Sequence, residues 1–163
     1  TEGEIVCIIG GGGKSGILCC YQAMKNVGQY GKVIVVEYSP VNAQRIKDMG
    51  LATDVIVADA TNVMDVYHKV MAITGGRGCD VTINNVNVPS TEMTSILVTK
   101  GRGCVYFFSM ATSFTKAALG AEGVGKDINL IVGNGFAKGH ADLTLDIIRD
   151  SKDIRELFEK LYV

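Results

Sequence analysis

Residues 5–16, IVCIIGGGGKSG, limit what this chain can fold into more than any other stretch. A β-branched run breaks into four consecutive glycines, passes Lys14-Ser15-Gly16 and restarts as the apolar Ile17-Leu18-Cys19-Cys20. Glycine permits backbone angles and close approaches that other residues forbid. The pattern therefore predicts a buried strand, a tight turn and a helix. At such a junction the first N–H groups of the helix lack partners and the helix dipole favours negative charge, so a phosphate is the expected occupant.

The remaining sequence repeats this alternation. A helix over 17–27 stops at Gly28. Residues 32–38 (KVIVVEY) form a continuous β-branched run, the pattern of a strand covered on both faces. Ser39-Pro40 starts a helix running to Met49, with Gly50 as its stop. A third strand is expected over 54–58. Thr61 or Asn62 caps the next helix, whose Val63, Val66, Tyr67, Val70 and Met71 share one face. The fourth strand is 79–84, followed by a helix from 91 to 99 that Gly101 ends and a fifth strand over 103–109. A short helix around 115–121, a sixth strand over 128–132 and helical segments over 141–150 and 153–161 complete the chain. Strands recurring at roughly 25-residue spacing between helices predict right-handed βαβ units. The expected architecture is α/β, a Rossmann-type doubly wound six-stranded parallel sheet in the order 3-2-1-4-5-6. One domain over residues 1–163 is expected.

Composition narrows the partners. The 163 residues are 47% hydrophobic and 20% charged, with a net charge of -1, which gives no electrostatic basis for nucleic-acid binding or for an acidic membrane surface. No apolar run approaches the ~18 residues of a membrane span. The five cysteines are odd in number and lack Cys-x-x-Cys spacing. They point to a reducing cytoplasm rather than to a disulfide framework or a zinc site. The chain opens on Thr1 and enters a strand almost at once, as expected of a piece of a longer two-domain protein.

Two phosphate motifs compete for the glycines. Gly13-Lys14-Ser15 matches the end of Gly-x-x-x-x-Gly-Lys-Ser, but that motif needs a glycine where Ile8 stands. The fourth strand also ends in Asn84-Asn85, without the metal-binding aspartate of a nucleotide hydrolase. The dinucleotide reading fits better. In Gly11-x-Gly13-x-x-Gly16 the first glycine makes the turn, the second admits the pyrophosphate, and the third lets helix and strand pack closely. Lys14 and Ser15 lie beside the pyrophosphate in this frame, although Lys14 also reads as a solvated loop charge. An acid is then required near the end of the second strand to hold the adenosine ribose, and Glu37 stands there. A carboxylate at this point accepts from the 2′-hydroxyl and repels a 2′-phosphate, and none of Tyr38, Ser39 and Pro40 is a cation, so NAD is expected over NADP.

Other ligand contacts are expected beyond the carboxyl ends of the strands. Tyr38 and Asp59 border the adenine side, although Asp59 also reads as a turn residue. Asn85 and Asn87, Ser109 and Met110, and Asn134 follow the fourth, fifth and sixth strands and form the nicotinamide side, where hydride transfer requires a placed ring and a polar partner for its carboxamide. Each polar member also has a plain turn reading. No catalytic base is assigned. His68 reads as a surface residue, and His140 as a capping or solvated one or as one that approaches the cofactor. Cys19-Cys20, one turn into the helix, read as packing residues rather than activated thiols. The apolar sixth strand is expected at the sheet edge, where exposed backbone invites pairing.

The stretches IIGGGGKSG, VIVVEYSP, DMGLATDVIVAD and GGRGCDVTINNV followed by GRGCVYFFS resemble the cofactor domain of the medium-chain dehydrogenases/reductases along the whole chain. More narrowly, GKSGILCCYQAMK and NNVNVPSTEMTSILV are similar to the branch that dehydrogenates diamino acids in anaerobic lysine breakdown. The resemblance implies NAD-dependent oxidative deamination of a diamino acid to an oxo-amino acid with release of ammonia. It also implies a separate substrate domain and dimers joined through the sixth strand. The family's Gly-His-Glu zinc passage has no counterpart in this sequence. A non-catalytic NAD-sensing module is the alternative from a different class.

Overall fold

The computed structural model describes residues 1–133 and 137–163. Strands β1 (Ile5–Ile9), β2 (Lys32–Glu37), β3 (Asp54–Val57), β4 (Cys79–Asn84), β5 (Thr99–Phe107) and β6 (Asn129–Val132) form one sheet. All pairings are parallel, in the order β3-β2-β1-β4-β5-β6, as the alternation predicts. The helices are α1 (Lys14–Val27), α2 (Pro40–Asp48), α3 (Val63–Thr74), α4 (Glu92–Val98), α5 (Phe114–Gly123), α6 (His140–Asp150) and α7 (Lys152–Tyr162). The sheet order reverses at β1, which pairs with β2 on one side and β4 on the other.

Alternate residues of the central strands serve two layers. Val6, Ile8, Val33 and Val35 face Ile17 and Val27 of α1, Ile46 of α2, Ile147 of α6 and Ile154 of α7. Ile5, Cys7, Ile9, Ile34 and Val36 face Val66 and Val70 of α3 and Val98 of α4. The residues Val33, Ile34, Val35 and Val36 are at most 1% exposed, the double covering that their β-branched run requires. Burying each such side chain stabilises by about 1.5–3 kcal/mol before conformational entropy is counted. Val105 and Phe107 of β5 pack on Ala117 of α5. β6 sits at the edge with Ile131 48% exposed.

The α4–β5 boundary departs from expectation. The helix ends at Val98 and β5 begins at Thr99, so Gly101 lies within the strand and does not stop the helix. Thr99 Oγ1 donates to the Ser95 carbonyl at 2.7 Å and lies 2.6 Å from Thr82 Oγ1. These bonds hold Thr99 in extended backbone against β4. The β4–β5 register shifts between Cys79 and Val81 to absorb the added length.

Asp80 closes the amino-terminal end of the sheet. Its Oδ2 accepts from the Ile5 N–H at 2.7 Å and from Arg77 Nη2 at 2.9 Å, while Oδ1 pairs with Lys100. Burial pushes this carboxyl up, but the Ile5 N–H, Lys100 and Arg77 outweigh it and hold Asp80 below the usual carboxylate range. The opposite end of the sheet is thereby left to carry the site. Among the described residues, no helix is long and apolar enough to cross a membrane.

Candidate functional site

Residues 10–13 are the whole connection between β1 and α1. Gly10 takes φ of +81°, and a Cβ there would stand 2.5 Å from the Val86 side chain. The left-handed residue of the turn is Gly10, directly before the Gly11 that the motif places in the turn. Gly11 lacks a side chain for another reason: a Cβ there would lie 2.5 Å from Val35 and 3.3 Å from Cys20 Sγ. A Cβ at Gly16 would collide with the Gly10 carbonyl oxygen and stand 2.7 Å from Gly11 Cα, the close helix-on-strand contact the third glycine predicts. Gly13 is different again. It is exposed, a Cβ there would meet nothing within 4 Å, and as the N-cap of α1 it offers no side chain to the first-turn N–H groups. Lys14 and Ser15 form the start of that turn.

Glu37 is directed into this loop rather than into solvent. It is 8% exposed, its Oε2 accepts from the Gly12 N–H at 2.8 Å, and its Oε1 accepts from the Ser39 N–H at 3.1 Å. The acid at the end of β2 and the glycine turn after β1 are therefore in contact. Gly12 is itself constrained, because a Cβ there would lie 2.6 Å from Asn42 Cβ and 2.7 Å from Asn42 Nδ2. Asn42 Oδ1 accepts from Arg45 Nη1 at 3.2 Å. Sequence reading missed Gly10, Gly12, Asn42 and Arg45. The unbroken run of four glycines was the available signal for Gly12, which occupies a free position of the motif.

Beside Glu37 lies a cavity of about 230 Å³ between the ends of β2 and β3 and the loop after β4. Val36, Ala58, Ala60, Val86 and Val88 supply apolar walls, with Tyr38, Asp59, Thr61 and Thr91 at their margins. Tyr38 is 75% exposed and stands as a free aromatic wall. Asp59 borders the cavity and begins a turn: Oδ1 accepts from Thr61 Oγ1 at 2.7 Å and from the Thr61 N–H at 2.8 Å. The Thr61 hydroxyl, and then its N–H, hold this carboxyl below its ordinary range. Thr94 Oγ1 of α4 donates to the Ala60 carbonyl at 2.6 Å and fixes the far wall.

The loop after β4 is anchored by Asn84, which is fully buried. Its Nδ2 donates to Thr91 Oγ1 and Ser95 Oγ, each at 2.9 Å, and its Oδ1 accepts from the Val86 N–H at 3.2 Å. The Asn85 N–H donates to the Ile9 carbonyl at 2.9 Å, across the point where the sheet order reverses. Both polar atoms of its side chain are buried without a hydrogen-bond partner among the described residues. Burial pushes the neighbouring Cys19 and Cys20 thiols up. These thiols accordingly remain protonated packing groups. Ser109 Oγ donates to Asn87 Oδ1 at 3.3 Å and accepts from the Ala111 N–H at 3.1 Å, joining two expected ligand residues from adjacent loops. Met110 is 82% exposed next to them. Asn134 lies outside the described residues. His68 is exposed on α3, and His140 Nδ1 lies 2.7 Å from the Ala137 carbonyl oxygen.

A cradle open at Gly13, a buried acid touching it and an apolar cleft alongside meet at the reversal of the sheet order. The class of protein that this fold defines is a doubly wound α/β domain of the Rossmann type. The family model described as zinc-binding dehydrogenase matches residues 17–134, and the chain belongs to that family, within the medium-chain dehydrogenases/reductases. It is 50% identical over 161 residues to L-erythro-3,5-diaminohexanoate dehydrogenase of Acetoanaerobium sticklandii, covering 99% of this chain and 47% of that protein. It is also 50% identical over 160 residues to the protein of that name from Fusobacterium nucleatum, covering 98% of this chain and 46% of the relative. The chain thus spans about half the length of these relatives. Among solved structures, the crystal structure of AibC superposes with a TM-score of 0.74 at 22% identity, covering 91% of this chain and 39% of that one, a likeness of fold. No three His, Cys, Asp or Glu side chains converge on a metal site among the described residues, so these residues do not fit a zinc ion.

Proposed function

We propose that the chain is the cofactor-binding part of a cytoplasmic NAD-dependent dehydrogenase that oxidatively deaminates a diamino acid such as L-erythro-3,5-diaminohexanoate. The observation that carries the reading is 50% identity along 99% of the chain to a dehydrogenase of that name. NAD, when bound, supplies the hydride acceptor. The N–H groups around Gly13, Ser15 and Gly16, with Gly11 behind them, bind the pyrophosphate, and Lys14 adds a positive charge. Glu37 accepts from the adenosine ribose hydroxyls with the lone pairs that Gly12 and Ser39 leave free. Its charge disfavours a 2′-phosphate. Tyr38 and Asp59 flank the adenine, while Asn85, Asn87, Ser109, Met110 and Asn134 serve the nicotinamide side. A second copy of the chain joins at the β6 edge, and the diamino acid is held with help from the part of the protein outside these residues.

Titration calorimetry with NAD, NADP and ATP tests the cofactor. NAD is expected to bind, and more tightly than NADP; tight ATP binding without NAD binding overturns the reading. The substrate is tested on the complete polypeptide with L-erythro-3,5-diaminohexanoate, following reduced-cofactor absorbance and ammonia together. NAD binding with neither product, across a panel of amino acids and alcohols, would instead mark a sensing module.

A further inference from the structure

The last helix, α7, reaches the first residue of α1, directly after the glycine loop. α7 is anchored by Ile154, 1% exposed, with Leu157 and Phe158 packed on the cluster that α1 also joins. Phe158 meets the Tyr162 ring edge-on at 5.3 Å and 74°. Lys14 Nζ lies over that same ring, 4.3 Å from its centroid. Lys14 is the first residue of α1, next to the open face of Gly13. Among the described residues it makes no ion pair with a carboxylate.

We propose that Tyr162 is a positioning residue for the cofactor, holding the Lys14 ammonium at the mouth of the glycine loop where the pyrophosphate enters. The inference rests on the reading that this loop binds NAD. A lysine side chain has many rotamers, and confining it at the moment of binding opposes affinity. A partner that confines it beforehand reduces that loss. A carboxylate would do so at the expense of the charge the phosphate needs. An aromatic face attracts the cation, adds no net charge and covers one side only, and Lys14 remains exposed to accept an anion on the other. The ring is available because Phe158 orients it and α7 is fixed to the same layer as α1.

Calorimetry with NAD on the wild-type chain, Tyr162→Leu, Tyr162→Phe, Lys14→Ala and the Lys14→Ala/Tyr162→Leu double variant tests this, with adenosine as a probe lacking phosphate. Tyr162→Leu is expected to weaken NAD about two- to fivefold, the size of an exposed cation–π contact. Tyr162→Phe, which keeps the ring face, should bind as wild type, and adenosine should not distinguish the variants. In the Lys14→Ala background the leucine change should have no further effect. A merely structural role for Tyr162 would weaken binding with or without Lys14. That result, a wild-type Kd for Tyr162→Leu, or an equal loss for adenosine overturns the proposal alone. Absence of NAD binding by the wild-type chain overturns the cofactor reading, and this inference with it.

Discussion

Gly13 and Gly16 lie one helical turn apart, and alanine at each should fail in a different way. At Gly16 alanine gains up to ~1 kcal/mol in helix propensity. Against this, its Cβ would strike the Gly10 carbonyl oxygen and sit 2.7 Å from Gly11 Cα. These are backbone atoms that cannot rotate aside, so the cost lies at the upper end of the ~1–3 kcal/mol typical of overpacking. The net loss of about 2 kcal/mol corresponds to a melting temperature lower by roughly 4–8 °C in a chain of this size. At Gly13 the backbone, φ -82° and ψ 175°, is open to alanine, and its Cβ would meet nothing within 4 Å. Loss of a glycine N-cap and the gain from a stiffer unfolded chain nearly cancel, leaving stability within about 0.5 kcal/mol. NAD affinity should nonetheless fall about tenfold or more, ~1.4 kcal/mol, because the methyl fills the space assigned to the pyrophosphate. Scanning calorimetry and NAD titration on both variants separate the two effects. Wild-type NAD affinity in Gly13→Ala refutes the register of the motif, and wild-type melting of Gly16→Ala refutes the packing argument.

Asp80→Asn should destabilise the fold by about 1–2 kcal/mol near neutral pH, since it removes charge-assisted bonds to Lys100 and Arg77. The folded carboxyl sits below its unfolded value of about 3.9, so its contribution is full above that pH and is lost as pH falls through the folded value. Urea midpoints from pH 6 downward should therefore decline less steeply in the variant, and superimposable profiles would contradict this. Glu37→Ser should weaken NAD and raise the relative affinity for NADP. Arg45, hydrogen-bonded to the Asn42 that touches Gly12, is the cation placed to benefit. Adding Arg45→Ala should cancel the NADP gain, and an unchanged NAD/NADP ratio in Glu37→Ser would dismiss the ribose role. Sedimentation at micromolar concentration should show a dimer that Ile131→Lys converts to monomer, whereas a monomeric wild type would rule out the β6 interface.

The sheet order was legible because its signals are local. β1, β2 and β3 are rich in β-branched residues, α3 has a periodic apolar face, and Ser39-Pro40 and Asn62 cap where their chemistry predicts. The α4–β5 boundary was not legible, since Gly101 is a plausible helix stop on local grounds. What overrides it is Thr99, whose hydroxyl meets Thr82 on a strand distant in sequence. Gly10 was missed for a similar reason. Four identical residues carry no internal landmark, and Val86 and Val35, which decide between them, come from other strands. Asp59 read ambiguously because it truly has two environments, a turn and a cavity wall.

The glycine loop is shaped by residues that arrive from every side. Glu37 approaches from the end of β2, Asn42 from α2 and Val86 from the loop after β4. This explains why the run holds a glycine at position 12, which the dinucleotide motif leaves free. The free position, Gly12, donates to Glu37 and lies under Asn42, so any side chain there would separate the acid from the loop. The acid and the cradle thus form one unit, and a substitution at Gly12 should impair ribose and pyrophosphate contacts together. A motif written with a free second position understates the constraint in a chain where α2 sits this close, and the constraint becomes visible only when the contact with Asn42 is known.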